Sequence, residues 1–263
     1  MEETSTLASD SVAEFLTEAS SKELDPELFQ DIASCIYGSE KSQQELTSLL
    51  YDWDSFAKNL ASKEAAGVLH GYCCLTHGDL EKAAEVLKRV KRTLWGCYYL
   101  VRTLLEQNRA EEALKVIEDG LDKHSDSLHL KYLAVEVNCR LRRADEASRL
   151  LEKLKKSEER KSRYLLHRGY YLECMGEYDE AIQHYRDVIS QERQDPEAFF
   201  RLGYLLDLYG TDADEANDEA VLAYENCVRI PPVHSAAILN LGLLYEDRER
   251  YHDAIKCYET LLR

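Results

Sequence analysis

Alanine recurs at Ala83, Ala113, Ala147, Ala181, Ala220 and Ala254, and each is followed four residues later by a large side chain: Leu87, Ile117, Leu151, Tyr185, Tyr224 or Tyr258. A second set, Gly71, Val101, Val135, Gly169, Gly203 and Gly242, repeats in step, with spacings of 30, 34, 34, 34 and 39 residues. A period of this length constrains a chain more tightly than its composition does. Each unit is one supersecondary element, too small to bury its apolar face alone, so stability comes from neighbour against neighbour. With 11 Gly and 4 Pro in 263 residues, the chain is too poor in turn residues for an all-β sandwich or barrel. Its 44% hydrophobic and 32% charged residues exclude disorder over most of the length.

One repeat shows what the unit is. Leu165 to Ile189 reads LLHRGYYLECMGEYDEAIQHYRDVI, with small Gly169, then Gly176 and Tyr178 at a turn, then Ala181 and Tyr185. This segment resembles a tetratricopeptide (TPR) repeat, a 34-residue helix-turn-helix with small residues at positions 8 and 20, where its helices touch. The resemblance covers about residues 64–263 and implies an all-α fold: a right-handed α-α superhelix of six TPR-like pairs, at 64–93, 94–127, 128–161, 162–195, 196–234 and 235–263. The second and third repeats depart from the pattern, carrying Val at position 8 and Asn108 or Arg142 in place of the turn glycine.

Before the repeats, residues 11–63 read as an N-terminal helical cap or degenerate repeat, and residues 1–10 as a disordered tail. Asp25-Pro26 followed by Leu28, Phe29, Ile32, Ala33 and Ile36, stopped at Gly38, predicts a capped amphipathic helix. Leu46, Leu49, Leu50, Trp53, Phe56, Ala57 and Leu60 predict one longer helix. Val12, Phe15, Leu16 and Ala19 suggest a short one. After Tyr258 the last repeat has no polar capping helix before Arg263, which predicts either further chain or another chain over its apolar face. Self-association through that face is compatible with both.

The search for chemistry finds little. There is no phosphate loop, HExxH or nucleophile elbow. An acidic run from Gly210 to Ala220 fails as a calcium loop, because Ala216, Asn217 and Ala223 stand where ligands or the turn glycine belong. His70, Cys73, Cys74 and His77 read as core packing, since His70 and His77 would lie about 10 Å apart along a helix, too far to share an ion bound at about 2 Å. The eight cysteines form no CxxC pair. They read as buried thiols of a reducing compartment. With no leader-like start and no long apolar run, the chain is expected to be cytoplasmic, non-catalytic and free of cofactors and metals.

What remains is a binding surface. The resemblance implies an inner groove lined by first helices, chiefly at positions 2, 5, 9, 12 and 13. In that register Tyr98, Tyr132 and Phe200 take position 5, and Tyr72, Tyr170 and Tyr204 take position 9. Trp95 and Arg163 take position 2, Arg102 position 9 and Arg140 position 13. Aromatic rings beside arginines are the composition of protein-recognition hot spots. The reading is thus a scaffold or adaptor that binds a protein, peptide or helix in the concave groove. The alternative is that several of these rings pack against neighbouring helices. The Lys and Asn pattern with which some TPR proteins clamp chaperone tails is absent from positions 5 and 9.

Charge supplies the second functional reading. The chain totals −17, but residues 81–163 hold 20 basic against 15 acidic residues, while residues 164–263 hold 9 against 20. A net polyanion is repelled by nucleic acid, yet a basic middle keeps a transcription-associated or nucleic-acid adaptor as an alternative. The segment from Pro231 to Arg263 is also similar to the repeat region of bacterial TPR proteins that continue into a module like the C-terminal domain of RNA polymerase α.

Overall fold

The computed structural model describes residues 11–158, 161–192, 194–210, 213–231 and 234–261, and the side chains of 156 and 213–217 fall outside that set. The expected tail at 1–10 and residues 211–212 of the acidic run therefore lie outside the described residues. All described elements are helical. Four precede the repeats: α1 (Val12–Ala19), α2 (Pro26–Tyr37), α3 (Glu40–Tyr51) and α4 (Trp53–Phe56). Six pairs follow: α5 (Lys63–Thr76) with α6 (Leu80–Val90), α7 (Leu94–Glu106) with α8 (Ala110–Lys123), α9 (Leu128–Arg140) with α10 (Ala144–Glu158), α11 (Ser162–Met175) with α12 (Tyr178–Gln191), α13 (Pro196–Tyr209) with α14 (Ala213–Val228), and α15 (Ser235–Asp247) with α16 (Tyr251–Leu261). The chain divides into two compact units, residues 1–137 and 138–263, the boundary falling inside α9.

Local chemistry fixes the helix ends. Asp25, Ser62, Asp79, Thr93 and Asp195 each accept a hydrogen bond from a backbone N–H three residues on, filling one of the unpaired donors of a helix start. Between the two helices of a pair the chain turns on one left-handed residue. Gly78 (φ 86°), Asn108 (57°), Arg142 (56°), Gly176 (82°) and Glu249 (59°) occupy that place in five of the six repeats. The N–H after each donates to the carbonyl five residues before it, as in Asp79 to Cys74, Arg109 to Leu104, Arg143 to Asn138, Glu177 to Leu172 and Arg250 to Tyr245. This closure makes the turn alike whichever residue bears the positive φ. In the fifth repeat Gly210 instead takes φ −61° and ψ 129°, where the five extra residues enter.

The alanines and glycines meet as the period requires. All six position-20 alanines are buried. A methyl group added at Gly169 would lie 2.8 Å from Tyr185, at Gly203 2.9 Å from Tyr224, and at Gly242 2.6 Å from Tyr258; at Gly71 it would collide with Leu87. Each glycine is thus the seat of the side chain four residues past the repeat's alanine. Where position 8 is Val101, the corresponding side chain is the smaller Ile117, and both are buried. Volume at the crossing is conserved by exchange between its two sides.

In the first unit the N-terminal helices are tied to one another by side-chain caps. Glu45 of α3 caps α1 by accepting from the backbone N–H of Val12 and Ala13 at 3.1 Å, and Ser20 at the end of α1 accepts from the Ala61 N–H at 3.0 Å. The expected long helix over 46–60 is broken: Asp52 adopts φ −123° and ψ 47°, separating α3 from α4, and a short 3-10 turn follows at Ala57–Asn59. The break lets Trp53, 5% exposed, stack on His70 of α5 at 4.5 Å and 12°. Cys73 and Cys74 beside it are buried, while His77 is exposed.

In the second unit, Leu172, Ile182 and Tyr185 of one pair pack with Phe199, Leu202, Val221 and Tyr224 of the next, and these with Leu241, Leu244 and Tyr245 of the last. Ile182 and Val221, at position 21, are 6% and 5% exposed. Ile255, at the same position in the last pair, is 54% exposed.

Two consequences can be measured. Gly203→Ala should destabilise the protein even though alanine favours a helix by about 1 kcal/mol, because overpacking against an immobile ring costs about 1–3 kcal/mol; Tyr224→Leu in the same chain should recover part of the loss. A Gly203→Ala variant as stable as the parent in urea melts would contradict the crossing geometry. The second concerns His70, whose imidazole is held down to about 4, chiefly by burial and then by the Lys82 charge. Its Nε2 is buried without a hydrogen-bond partner in the described structure. The folded state therefore binds fewer protons than the unfolded chain between about pH 6.5 and 4, and stability is lost as pH falls through that window. His70→Phe, which keeps a ring for Trp53 but cannot titrate, should lose less stability than the parent between pH 7 and pH 4.5.

Candidate peptide-binding faces

The ten groove residues divide by unit and by burial. In the first unit Tyr72, Trp95 and Tyr132 are 6%, 9% and 1% exposed. Their expected place in an open groove is corrected: they are interior. For Tyr72 and Trp95 the cause is Phe29 of α2, itself 2% exposed, whose ring sits 4.9 Å from Tyr72, 5.4 Å from Trp95 and 4.6 Å from Tyr99. The Tyr72 hydroxyl donates to the Phe29 carbonyl at 2.8 Å. Tyr72 and Tyr99 in turn lie 4.9 Å apart, so four rings from α2, α5 and α7 form one aromatic cluster. Burial in that cluster pushes the Tyr72 and Tyr99 hydroxyls well above the ordinary tyrosine range.

Two other positions on this side remain partly open. Tyr98 is half-buried, edge-on to Trp95 and Tyr99 at 5.5 and 5.2 Å. Arg102 pairs with Glu136 at 3.0 Å, with side-chain exposures of 33% and 11%. That pair joins position 9 of one repeat to position 9 of the next and commits the guanidinium to an internal partner.

The second unit presents its first helices differently. Tyr170, Phe200 and Tyr204 are half-buried, while Arg140 and Arg163 are exposed. Phe200 stacks on His234 at 4.1 Å and lies 6.1 Å from Tyr204. Leu239 and Leu243, at the matching positions 5 and 9 of the last repeat, are 45% and 49% exposed. From α11 to α15 the side chains at these positions, Leu166 and Tyr170, Phe200 and Tyr204, Leu239 and Leu243, thus form an apolar stripe.

A charged network underlies it. The Arg201 guanidinium sits 4.6 Å over the Tyr170 ring and is held by Glu197 at 2.8 Å and Glu173 at 3.1 Å. Glu173 also accepts from the Tyr185 hydroxyl at 2.9 Å. Burial opposes the charge on Arg201, but the two carboxylates outweigh it and hold its proton tightly. Bound on both sides, Arg201 orients Tyr170 and is not itself free to grip a ligand. Further along, Asp207 has its carboxyl raised from the ordinary range, by burial and then by the Asp247 charge. Arg201, Glu173 and Asp207 were not singled out by the sequence, although Arg201 directly follows Phe200.

No set of His, Cys, Asp and Glu among the described residues could hold a metal ion, and no described helix is long and apolar enough to cross a membrane. Nor does any curated protein sequence match the chain. Two family descriptions, both "Tetratricopeptide repeat", match residues 162–205 and 237–263. Among solved structures, a thermophilic TPR protein of Thermus thermophilus is similar at TM-score 0.54 and 20% identity, over 73% of this chain and 98% of that one. A tetratricopeptide repeat protein of Parabacteroides merdae is similar at TM-score 0.56 and 15% identity, over 95% and 92%. A human IFIT1 dimer with PPP-AAAA is similar at TM-score 0.59 and 12% identity, over 89% of this chain and 60% of that one, so the chain spans about three fifths of the IFIT1 chain it matches. The chain carries tetratricopeptide repeats at 162–205 and 237–263 and shares the all-helical α-α fold of TPR proteins.

Proposed function

We propose that the protein is a non-catalytic interaction scaffold that takes an extended or helical peptide along the first-helix face of its second unit. The observation that carries this is the stripe from Tyr170 through Phe200 and Tyr204 to Leu239 and Leu243, half-buried to exposed. Rings and leucines fixed on rigid helices give apolar contact area at little cost in side-chain entropy. The matching face of the first unit is already filled by Phe29, which leaves the second unit as the recognition surface. The carboxylates beside the stripe, Asp207 and Asp247, set the polarity of the ligand. A Lys or Arg placed there relieves two like charges, so the preferred segment pairs apolar residues with basic ones.

The nucleic-acid reading rests on the basic middle repeats and on a fold neighbour, human IFIT1, described with PPP-AAAA. Against it, Lys91, Arg102, Arg109, Arg149 and Lys161 are each paired with a carboxylate of the chain. Continuation into a module like the RNA polymerase α C-terminal domain belongs to the same reading and has no support in these residues. The exposed end of the last repeat, with Ile255, is the place where self-association would occur.

Selection from a random peptide library should enrich segments pairing Leu or Phe with Lys or Arg. In titration calorimetry with the best such peptide, Phe200→Ala with Tyr204→Ala should cost more than about 2 kcal/mol of binding free energy, and Phe29→Leu should leave it unchanged. Undiminished binding by the double variant would exclude the stripe. A steep salt dependence with triphosphorylated oligoadenylate, absent for the peptide, would favour the nucleic-acid reading instead.

A further inference from the structure

Tyr178, the first residue of α12, and Tyr209, the last of α13, lie face to face, with ring centroids 3.8 Å apart and planes 8° from parallel. Aromatic pairs generally sit offset or edge-on, at about 4.5–7 Å. Tyr72 with Tyr99 and Tyr98 with Tyr99 do so, at 4.9 Å and 58° and at 5.2 Å and 89°. The tighter stack is held where α12 packs on α13, and each ring stands at the end of its helix. It is also open to solvent: Tyr209 is 43% exposed and Tyr178 half-buried, whereas Tyr72, Tyr132, Tyr185 and Tyr224 are closed off. A centroid distance of 3.8 Å between near-parallel rings is van der Waals contact over the whole ring. The Tyr209 hydroxyl bears on that of Tyr178 and holds its proton above the ordinary tyrosine range, so the two hydroxyls share one end of the stack. The ring carbons beside each hydroxyl are thereby in contact with the opposite ring.

We infer that Tyr178 and Tyr209 form an oxidative cross-linking site, at which a peroxidase-type one-electron oxidant joins the two rings as dityrosine and ties α12 to α13. In the first step each phenol gives one electron to the oxidant and its proton to water. This leaves a phenoxyl radical whose unpaired electron is shared with the ring carbons beside the oxygen. In the second step two such carbons, one from each ring, pair their electrons in a carbon–carbon bond. The hydrogen on each joined carbon leaves as a proton while a proton returns to each oxygen, so both phenols are restored. The two rings lose two electrons and two protons in all, and through the oxidant these reduce one hydrogen peroxide to two waters. Reactants already in contact need no diffusional search. That separates this pair from Tyr51 and Tyr251, which are 95% and 59% exposed but stack on no other ring among the described residues. The site does not depend on what the second unit binds.

Brief treatment of the full chain with a plant peroxidase and hydrogen peroxide should give monomers that show dityrosine fluorescence and have lost two hydrogens. Mass-spectrometric mapping should find a Tyr178–Tyr209 cross-linked peptide. That link should exceed any other tyrosine pair by at least about tenfold, the advantage of reactants held together over reactants that must meet, and its yield per chain should not change on dilution. Tyr178→Phe and Tyr209→Phe keep a ring for the stack but lack the phenol, and each should remove the link, while Tyr51→Phe should leave it intact. The inference is overturned if the link survives either of the first two variants, if oxidation joins other tyrosines instead or links only separate chains, or if Tyr178 and Tyr209 stay unmodified while Tyr51 reacts.

Discussion

The contact on which the repeats depend is the seating of one large side chain over one missing one. Tyr185, Tyr224 and Tyr258 lie against Gly169, Gly203 and Gly242 so closely that not even a methyl group fits between. Leu87 does the same over Gly71. Burying a tyrosine ring there removes a large apolar area from water, and its hydroxyl still finds a partner: Tyr185 donates to Glu173, Tyr258 donates to Glu246, and Tyr224 accepts from Asn240. The ring therefore joins helix packing to the polar network of the first-helix face. Where the chain gives up the glycine, at Val101, it gives up the ring as well. The crossing is thus a volume constraint: a ring there requires the glycine, whereas Gly71 also seats the smaller Leu87.

The first-helix faces of the two units differ in what covers their rings. A face rich in aromatics is costly to leave in water, and the first unit does not leave it so. Phe29 enters among Tyr72, Trp95 and Tyr99, while Trp53 covers His70. Two of the rings assigned to a partner, Tyr72 and Trp95, thereby become core. In the second unit the comparable rings are steadied from below by Arg201 and its carboxylates, which keep Tyr170 in place without covering it. Recognition surfaces of this kind need rigid support more than they need exposed charge.

How much of this was legible depends on the range over which each feature is encoded. The alanine and glycine period marks helix pairs because both residues act within one repeat, and the helices lie where it puts them. The turns were legible for the same reason: Asn108 and Arg142, which break the glycine rule, carry φ near 57° as a turn residue must. The placement of α2 was not legible, since nothing in Asp25 to Gly38 says which apolar surface its stripe will meet. The break at Asp52 was hidden likewise, because the apolar spacing from Leu46 to Leu60 suits one helix and only the demand of His70 for Trp53 divides it. Tyr132 is the plainest case. Position 5 of the family register names a face of a helix, but its 1% exposure is decided by the packing around that face.

Charge shows how a sum over a segment differs from the pairs its residues make. The excess of basic residues between 81 and 163 suggests a surface for anions, but structure sees pairs, not totals. Arg102 with Glu136, Arg109 with Glu112, Arg149 with Glu146 and Lys161 with Glu158 commit their charge within the chain. Such exposed pairs contribute little to stability, on the order of 0–1 kcal/mol each, yet each lowers the field an anion would feel. The opposite holds beside the stripe of the second unit. There Asp207 is half-buried and faces the charge of Asp247, so its carboxylate is held at a cost that a bound cation would remove. A sum of charge and the state of a single carboxylate are thus different facts, and Asp207 beside Asp247 is opposed where the paired cations are not.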